Sequence, residues 1–132
     1  MKKGEVMSAR KKILLIDDEE DFCFFLSKNL KNNREFEVLT ATDGEEGINL
    51  ARREKPDAIL LDIVMPKIDG PDVAEVLNND PVTKDIPIIF LTAVVTEKEF
   101  GAEPIKEIGG HNFIAKPVDT ERLISSIKMI LK

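Results

Sequence analysis

The sequence predicts a doubly wound α/β fold: five parallel strands in the order 2-1-3-4-5, with helices on both faces of the sheet. Three observations carry this. Short apolar runs alternate five times with stretches of helical period. The runs are apolar on both faces, as strands covered by helices on both sides must be. No internal repeat or low-complexity segment breaks the alternation.

Each element has its own signal. Lys12-Ile13-Leu14-Leu15-Ile16 is short, branched and apolar, and reads as the first strand. Phe22, Phe25, Leu26 and Leu30 then recur at helical spacing as far as Asn32-Asn33. Phe36 to Ala41 reads as the second strand. Asp43 and Glu46 have capping-box spacing and open a helix that buries Gly47, Ile48 and Ala51. Pro56-Asp57 interrupts the chain before Ala58 to Asp62, the third strand. A loop with Pro66 and Gly70 leads to a helix face of Val73, Val76 and Leu77. Pro87 to Thr92 is the fourth strand. A helix is expected within Glu97 to Ile108, weakened by Gly101 and Pro104 and stopped by Gly109-Gly110. Phe113 to Ala115 is a short fifth strand, and Leu123, Ile124, Ile127, Ile130 and Leu131 line the last helix.

Composition narrows the function classes. The 132 residues suit one domain, and 42% apolar with 33% charged residues is too apolar for a disordered chain. A chain of this length buries roughly 65–70% of its unfolded surface, so its core needs no staple. The single Cys23 excludes an internal disulfide and a cysteine-based metal cage, and it reads as a small buried hydrophobe. No apolar run approaches the ~20 residues that span a membrane, and no secretion signal is visible. A reducing, cytoplasmic setting is expected, with no membrane. The charge is −6 overall but uneven. The first twelve residues carry a net of +4, which leaves −10 on the rest. Residues 1–11 read as a basic, flexible leader and 12–132 as one domain. Net acidity argues against direct nucleic-acid binding.

In a doubly wound sheet, ligands bind beyond the carboxyl ends of the strands. The predicted order brings Asp17-Asp18, Asp62, Thr92 and Lys116 to that edge from strands one, three, four and five. Three gathered carboxylates oppose one another's ionisation unless a cation intervenes. An all-oxygen set with open positions suits Mg²⁺, which keeps waters and favours phosphate oxygens. A carboxylate can also attack phosphorus to form an aspartyl-phosphate. The charge of the transferring group then needs balancing on several sides. Mg²⁺ supplies one side, the Lys116 ammonium another, and the Thr92 hydroxyl can donate to a phosphoryl oxygen. The residues therefore read as a Mg²⁺-dependent site that places a phosphoryl group on an aspartate.

In this order and spacing, Ile16-Asp17-Asp18-Glu19, Leu60-Leu61-Asp62-Ile63-Val64-Met65-Pro66, Asp69-Gly70, Leu91-Thr92-Ala93 and Lys116-Pro117 form a specific set. Over about Lys12 to Leu131 the chain resembles the response-regulator receiver domains of two-component signalling, the chemotaxis regulators among them. The resemblance implies a flavodoxin-like fold with Asp62 as phosphoacceptor. It implies Asp18 binding Mg²⁺ directly, Asp17 largely through water, and the Val64 backbone carbonyl as a third protein ligand beside Asp62. Thr92 takes the place of the switch hydroxyl, Lys116 of the phosphate partner, and Phe113 of the aromatic switch. The implied partners are a sensor histidine kinase or histidine phosphotransfer protein, and then a downstream protein or an output domain. A phosphorylation-linked homodimer through the last two helices is also within the family's habits. Two positions depart from the common pattern. Val64, two after Asp62, and Val94, two after Thr92, replace polar side chains that help orient the water that removes the phosphoryl group. Slow self-dephosphorylation is the expectation.

Other classes fit less well. A phosphatase with an Asp nucleophile needs an acid two residues later, where Val64 stands. A nucleotide or flavin binder needs a phosphate loop after the first strand, where five acids from Asp17 to Asp21 would repel phosphate. An interaction scaffold has no need of the complete site. The lone His111, beside Gly109-Gly110, reads as a surface-loop residue and not as a phosphotransfer histidine.

Overall fold

The computed structural model describes residues 10–92, 106–108, 111–115 and 120–131. Strands β1 (Lys11–Ile16), β2 (Phe36–Ala41), β3 (Ala58–Asp62), β4 (Ile88–Thr92), β5 (Lys106–Ile108) and β6 (His111–Ala115) form one sheet. The described helices are α1 (Glu20–Lys31), α2 (Gly44–Glu54), α3 (Gly70–Asn78) and α4 (Thr120–Ile130). The sheet order is β2-β1-β3-β4-β6-β5. Its five parallel strands therefore run in the predicted 2-1-3-4-5 order, counting β6 as the fifth.

Alternation along the strands feeds two cores. Ile13, Leu15, Leu60, Ile89 and Leu91 pack with Leu26 and Leu30 of α1 and with Leu123 and Ile127 of α4. Leu14, Ile16, Ile59, Leu61 and Phe90 face the other way, toward Ala51 of α2 and Val73 and Leu77 of α3. Successive side chains of a strand point to opposite faces, so a run apolar at every position serves both helix layers. At the amino-terminal end of the sheet, Lys12 N donates to Asp57 Oδ2 at 2.7 Å and Asp57 N donates to the Lys12 carbonyl at 2.7 Å. This pair fixes where β3 starts beside β1.

Three expectations change. Lys106–Ile108 is not helical. It pairs antiparallel with β6 as an edge strand, and Ile108 stands opposite His111. The physical reason is in the sequence: two adjacent strands separated only by Gly109-Gly110 carry a favoured two-residue hairpin signal, which competes with the same pair read as a helix stop. The rest of the expected Glu97–Ile108 helix lies outside the described residues, as does most of the basic leader. His111 is consequently the first residue of a strand and not part of a loop. Two apolar helix positions do not face the core: Phe25 of α1 and Val76 of α3 are exposed. The buried side of α1 is Cys23, Leu26, Ser27 and Leu30. Among the described residues no helix is long and apolar enough to cross a membrane.

Candidate functional site

The carboxyl end of the sheet is built by backbone bonds that run one residue past the strands. Asp17 N donates to the Ala41 carbonyl at 3.0 Å, and Ile63 N to the Leu91 carbonyl at 3.1 Å. Ile16 is in register with Leu61, so Asp17 and Asp62 occupy the next level on adjacent strands. Both are buried, Asp17 at 0% and Asp62 at 7% exposure, while Asp18 is half-buried. Asp17 Oδ1 accepts from Glu19 N at 3.0 Å, a local turn that leads into α1. Burying carboxylates is costly unless something compensates their charge.

One carboxylate oxygen from each of Asp17, Asp18 and Asp62 lies within 4.8 Å of the others. Ligands on opposite sides of a Mg²⁺ ion stand about 4 Å apart, given Mg–O distances of ~2.0–2.1 Å. Adjacent ligands stand about 3 Å apart, so the three oxygens share one ion after the side chains draw inward. The donor set is all carboxylate, which suits a hard divalent cation. The predicted acidic cluster is thus brought together as expected.

The loop after β3 folds back over the strand end. Ile68 N donates to the Pro66 carbonyl and Gly70 N to the Ile63 carbonyl, each at 2.8 Å. The first bond closes a three-residue γ-turn around Lys67, whose φ is 72°. Gly70 must lack a side chain: a Cβ there would lie 2.9 Å from Ile63 Cα and nearer still to the Asp62 carbonyl oxygen. The same loop exposes the Val64 side chain, at 63%, beside Asp62.

Thr92 ends β4, is buried at its end, and stands opposite Ala115. Asp62 is in register with Leu91, so Thr92 is one residue further along the neighbouring strand. Phe113 is half-buried on β6, opposite Phe90. Their rings stack at 5.3 Å between centroids and 25° between planes. Lys116 and Val94 lie outside the described residues. Sequence reading missed two contributors. Cys23 Sγ donates to the Asp17 carbonyl at 3.1 Å, which ties α1 to the acidic strand end. Phe90 supplies the floor for Phe113. The available signals were the position of Cys23 on the buried side of α1 and the matched position of Phe90 two residues before Thr92.

A family model described as the response regulator receiver domain matches residues 13–128. The chain is 38% identical over 122 residues to the alkaline phosphatase synthesis transcriptional regulatory protein PhoP of Bacillus subtilis (strain 168). That match covers 92% of this chain and 49% of PhoP. It is 37% identical over 122 residues to protein PilH of Pseudomonas aeruginosa, covering 91% of this chain and 97% of PilH. The chain thus spans about half the length of PhoP and of other curated relatives, and nearly all of PilH. The crystal structure of a response regulator from Desulfuromonas acetoxidans superposes with a TM-score of 0.76 at 30% identity, covering 92% of this chain and 96% of that one. The carboxylates at positions 17, 18 and 62 fall inside the matched stretch, and the chain belongs to the response regulator receiver domains of two-component signalling.

Proposed function

We propose that this chain is a phosphorylation-controlled switch whose phosphoacceptor is Asp62. The donor is a phosphohistidine on a sensor histidine kinase or a histidine phosphotransfer protein. The observation that carries the reading is the meeting of Asp17, Asp18 and Asp62 oxygens within 4.8 Å at two adjacent strand ends. An Asp62 oxygen attacks phosphorus as the phosphorus–nitrogen bond to the donor imidazole breaks, and that nitrogen leaves with the electron pair. Asp17, Asp18, Asp62 and the backbone carbonyl of Val64 would hold Mg²⁺. When bound, the ion offsets the crowded carboxylate charge and that of the arriving group. The Thr92 hydroxyl donates to a phosphoryl oxygen, and the Lys116 ammonium balances its charge.

Output follows from a shift between two pre-existing conformations. Thr92 moves toward the phosphoryl group, the Phe113 ring follows, and the surface around them changes for a downstream protein or an output domain. A phosphorylation-linked homodimer belongs to the same reading, as does a cytoplasmic setting. The chain catalyses its own phosphorylation and its slow reversal, and turns over no separate substrate.

The test is incubation with a small-molecule phosphodonor and Mg²⁺, read by intact mass. The wild type should gain one phosphoryl group, and Asp62→Asn should gain none. A wild type that stays unmodified, or an Asp62→Asn protein labelled at the same rate, overturns the proposal.

A further inference from the structure

Asp17 is held at both ends of its backbone. Its N–H donates to the Ala41 carbonyl at 3.0 Å. Its own carbonyl accepts from Cys23 Sγ at 3.1 Å. The carboxylate is tied as well, since Oδ1 accepts from Glu19 N at 3.0 Å. Cys23 N in turn donates to the Glu19 carbonyl at 3.0 Å. Asp18 therefore sits inside a closed circuit: Asp17 before it and Glu19 after it both bond to Cys23. That cysteine lies on the buried side of α1, at 4% exposure.

The peptide between Asp17 and Asp18 is planar, so its carbonyl oxygen and the Asp18 N and Cα move as one unit. A donor on that oxygen sets where the Asp18 side chain departs. Asp18 is the half-buried member of the cluster, whereas Asp17 and Asp62 are buried. It is thus the carboxylate with most room to stray from the other two. A helix seated by packing alone needs no thiol at this place, because Val fills similar space without a donor. Cys is a small hydrophobe with a weak donor, so it supplies a hydrogen bond at little burial cost.

We propose that Cys23 is a positioning residue for the divalent cation. By holding the Asp17 carbonyl, its thiol aims the Asp18 carboxylate at the ion shared with Asp17 and Asp62. This rests on the reading of the acidic cluster as a Mg²⁺ site. Removing an outer partner of a metal ligand typically lowers affinity about 10–100-fold. A thiol is a weak donor, so the lower end, about tenfold, is expected here.

Isothermal titration of the full chain with Mg²⁺ tests it, beside melting temperatures taken without the ion. Cys23→Val keeps an apolar side chain of similar size and removes the donor. It should bind Mg²⁺ about tenfold more weakly than the wild type. Cys23→Ser keeps a donor and should recover most of that loss. A role in seating α1 alone would lower the metal-free melting temperature and leave the affinity unchanged. A second measurement needs no variant of Cys23. It is the only cysteine in the chain and is buried, so iodoacetamide reaches it only when α1 opens locally. Coupling is reciprocal, so saturating Mg²⁺ should slow its alkylation, read by intact mass, by about the same tenfold factor. Asp18→Ala should lose that protection. A wild type that binds no Mg²⁺ overturns the site reading and this proposal together. With Mg²⁺ bound by the wild type, three results each overturn this proposal alone: equal affinity in Cys23→Val, no recovery in Cys23→Ser, or alkylation that ignores the ion.

Discussion

Lys67 adopts a conformation that side chains avoid. Its φ of 72° lies in the left-handed region, which costs a residue with a Cβ ~1–2 kcal/mol. Lys67→Gly should therefore raise stability by about 1 kcal/mol in urea unfolding, after the extra freedom glycine gains in the unfolded chain is deducted. Gly70→Ala should do the opposite, by roughly 1–3 kcal/mol, because the new Cβ meets backbone at Asp62 and Ile63. Val64 sits exposed at the mouth of the acidic cluster. Val64→Asn should shorten the phosphoryl lifetime by about tenfold, followed as loss of label with Mg²⁺ present. That is modest beside the ~10²–10⁴ that a positioned proton-transfer group contributes. The strand-end placement of Asp17, Asp18, Asp62 and Thr92 was legible because each is a polar residue at the end of an apolar run. The Cys23 thiol bond to the Asp17 carbonyl was not, since it depends on how α1 seats on the sheet.

Helix α2 shows its start in both sequence and structure. Asp43 accepts from Glu46 N at 2.8 Å, while Glu46 Oε1 accepts from Thr42 N at 3.1 Å. The reach back goes one residue beyond the cap that the capping-box spacing implies. Asp43→Ala should cost about 1 kcal/mol, checked by thermal or urea unfolding. After α3, Asp80 is held by Val82 N and then by Arg52, and both lower its carboxyl below the ordinary value of 3.8. Glu54, at the end of α2, is lowered by Arg53 and Lys12. A carboxylate with a depressed folded value contributes stability above its unfolded value and loses it as pH falls toward the folded one. The loss at Asp80 should thus begin near pH 4 and continue below. Asp80→Asn should flatten that part of the stability profile. Both carboxylates are half-buried at the surface and pair with arginines that face solvent, so the effect is small. The strands of the parallel sheet were legible to within two residues, because their runs are apolar on both faces. β5 was not: three residues carry no period, and Gly109-Gly110 serves a helix stop or a hairpin equally well.

At the scale of the whole molecule, strict alternation made the strand order readable, since short right-handed crossovers leave few other topologies. The net −6 is not spread evenly: three of its carboxylates share one strand-end cluster. A divalent ion that binds there and not to the unfolded chain stabilises the fold by mass action, by about 1.4 kcal/mol per tenfold excess over its dissociation constant. Mg²⁺ should raise the melting temperature of the wild type and leave that of Asp18→Ala nearly unmoved. The partners of β1 and β3 have a further consequence. The carboxylates meet only when Ile16 lies opposite Leu61. A slip of one residue would turn Asp62 to the other face of the sheet. A divalent ion held there would therefore favour the correctly aligned sheet. It would stabilise only those molecules in which two segments more than forty residues apart have zipped in the right alignment.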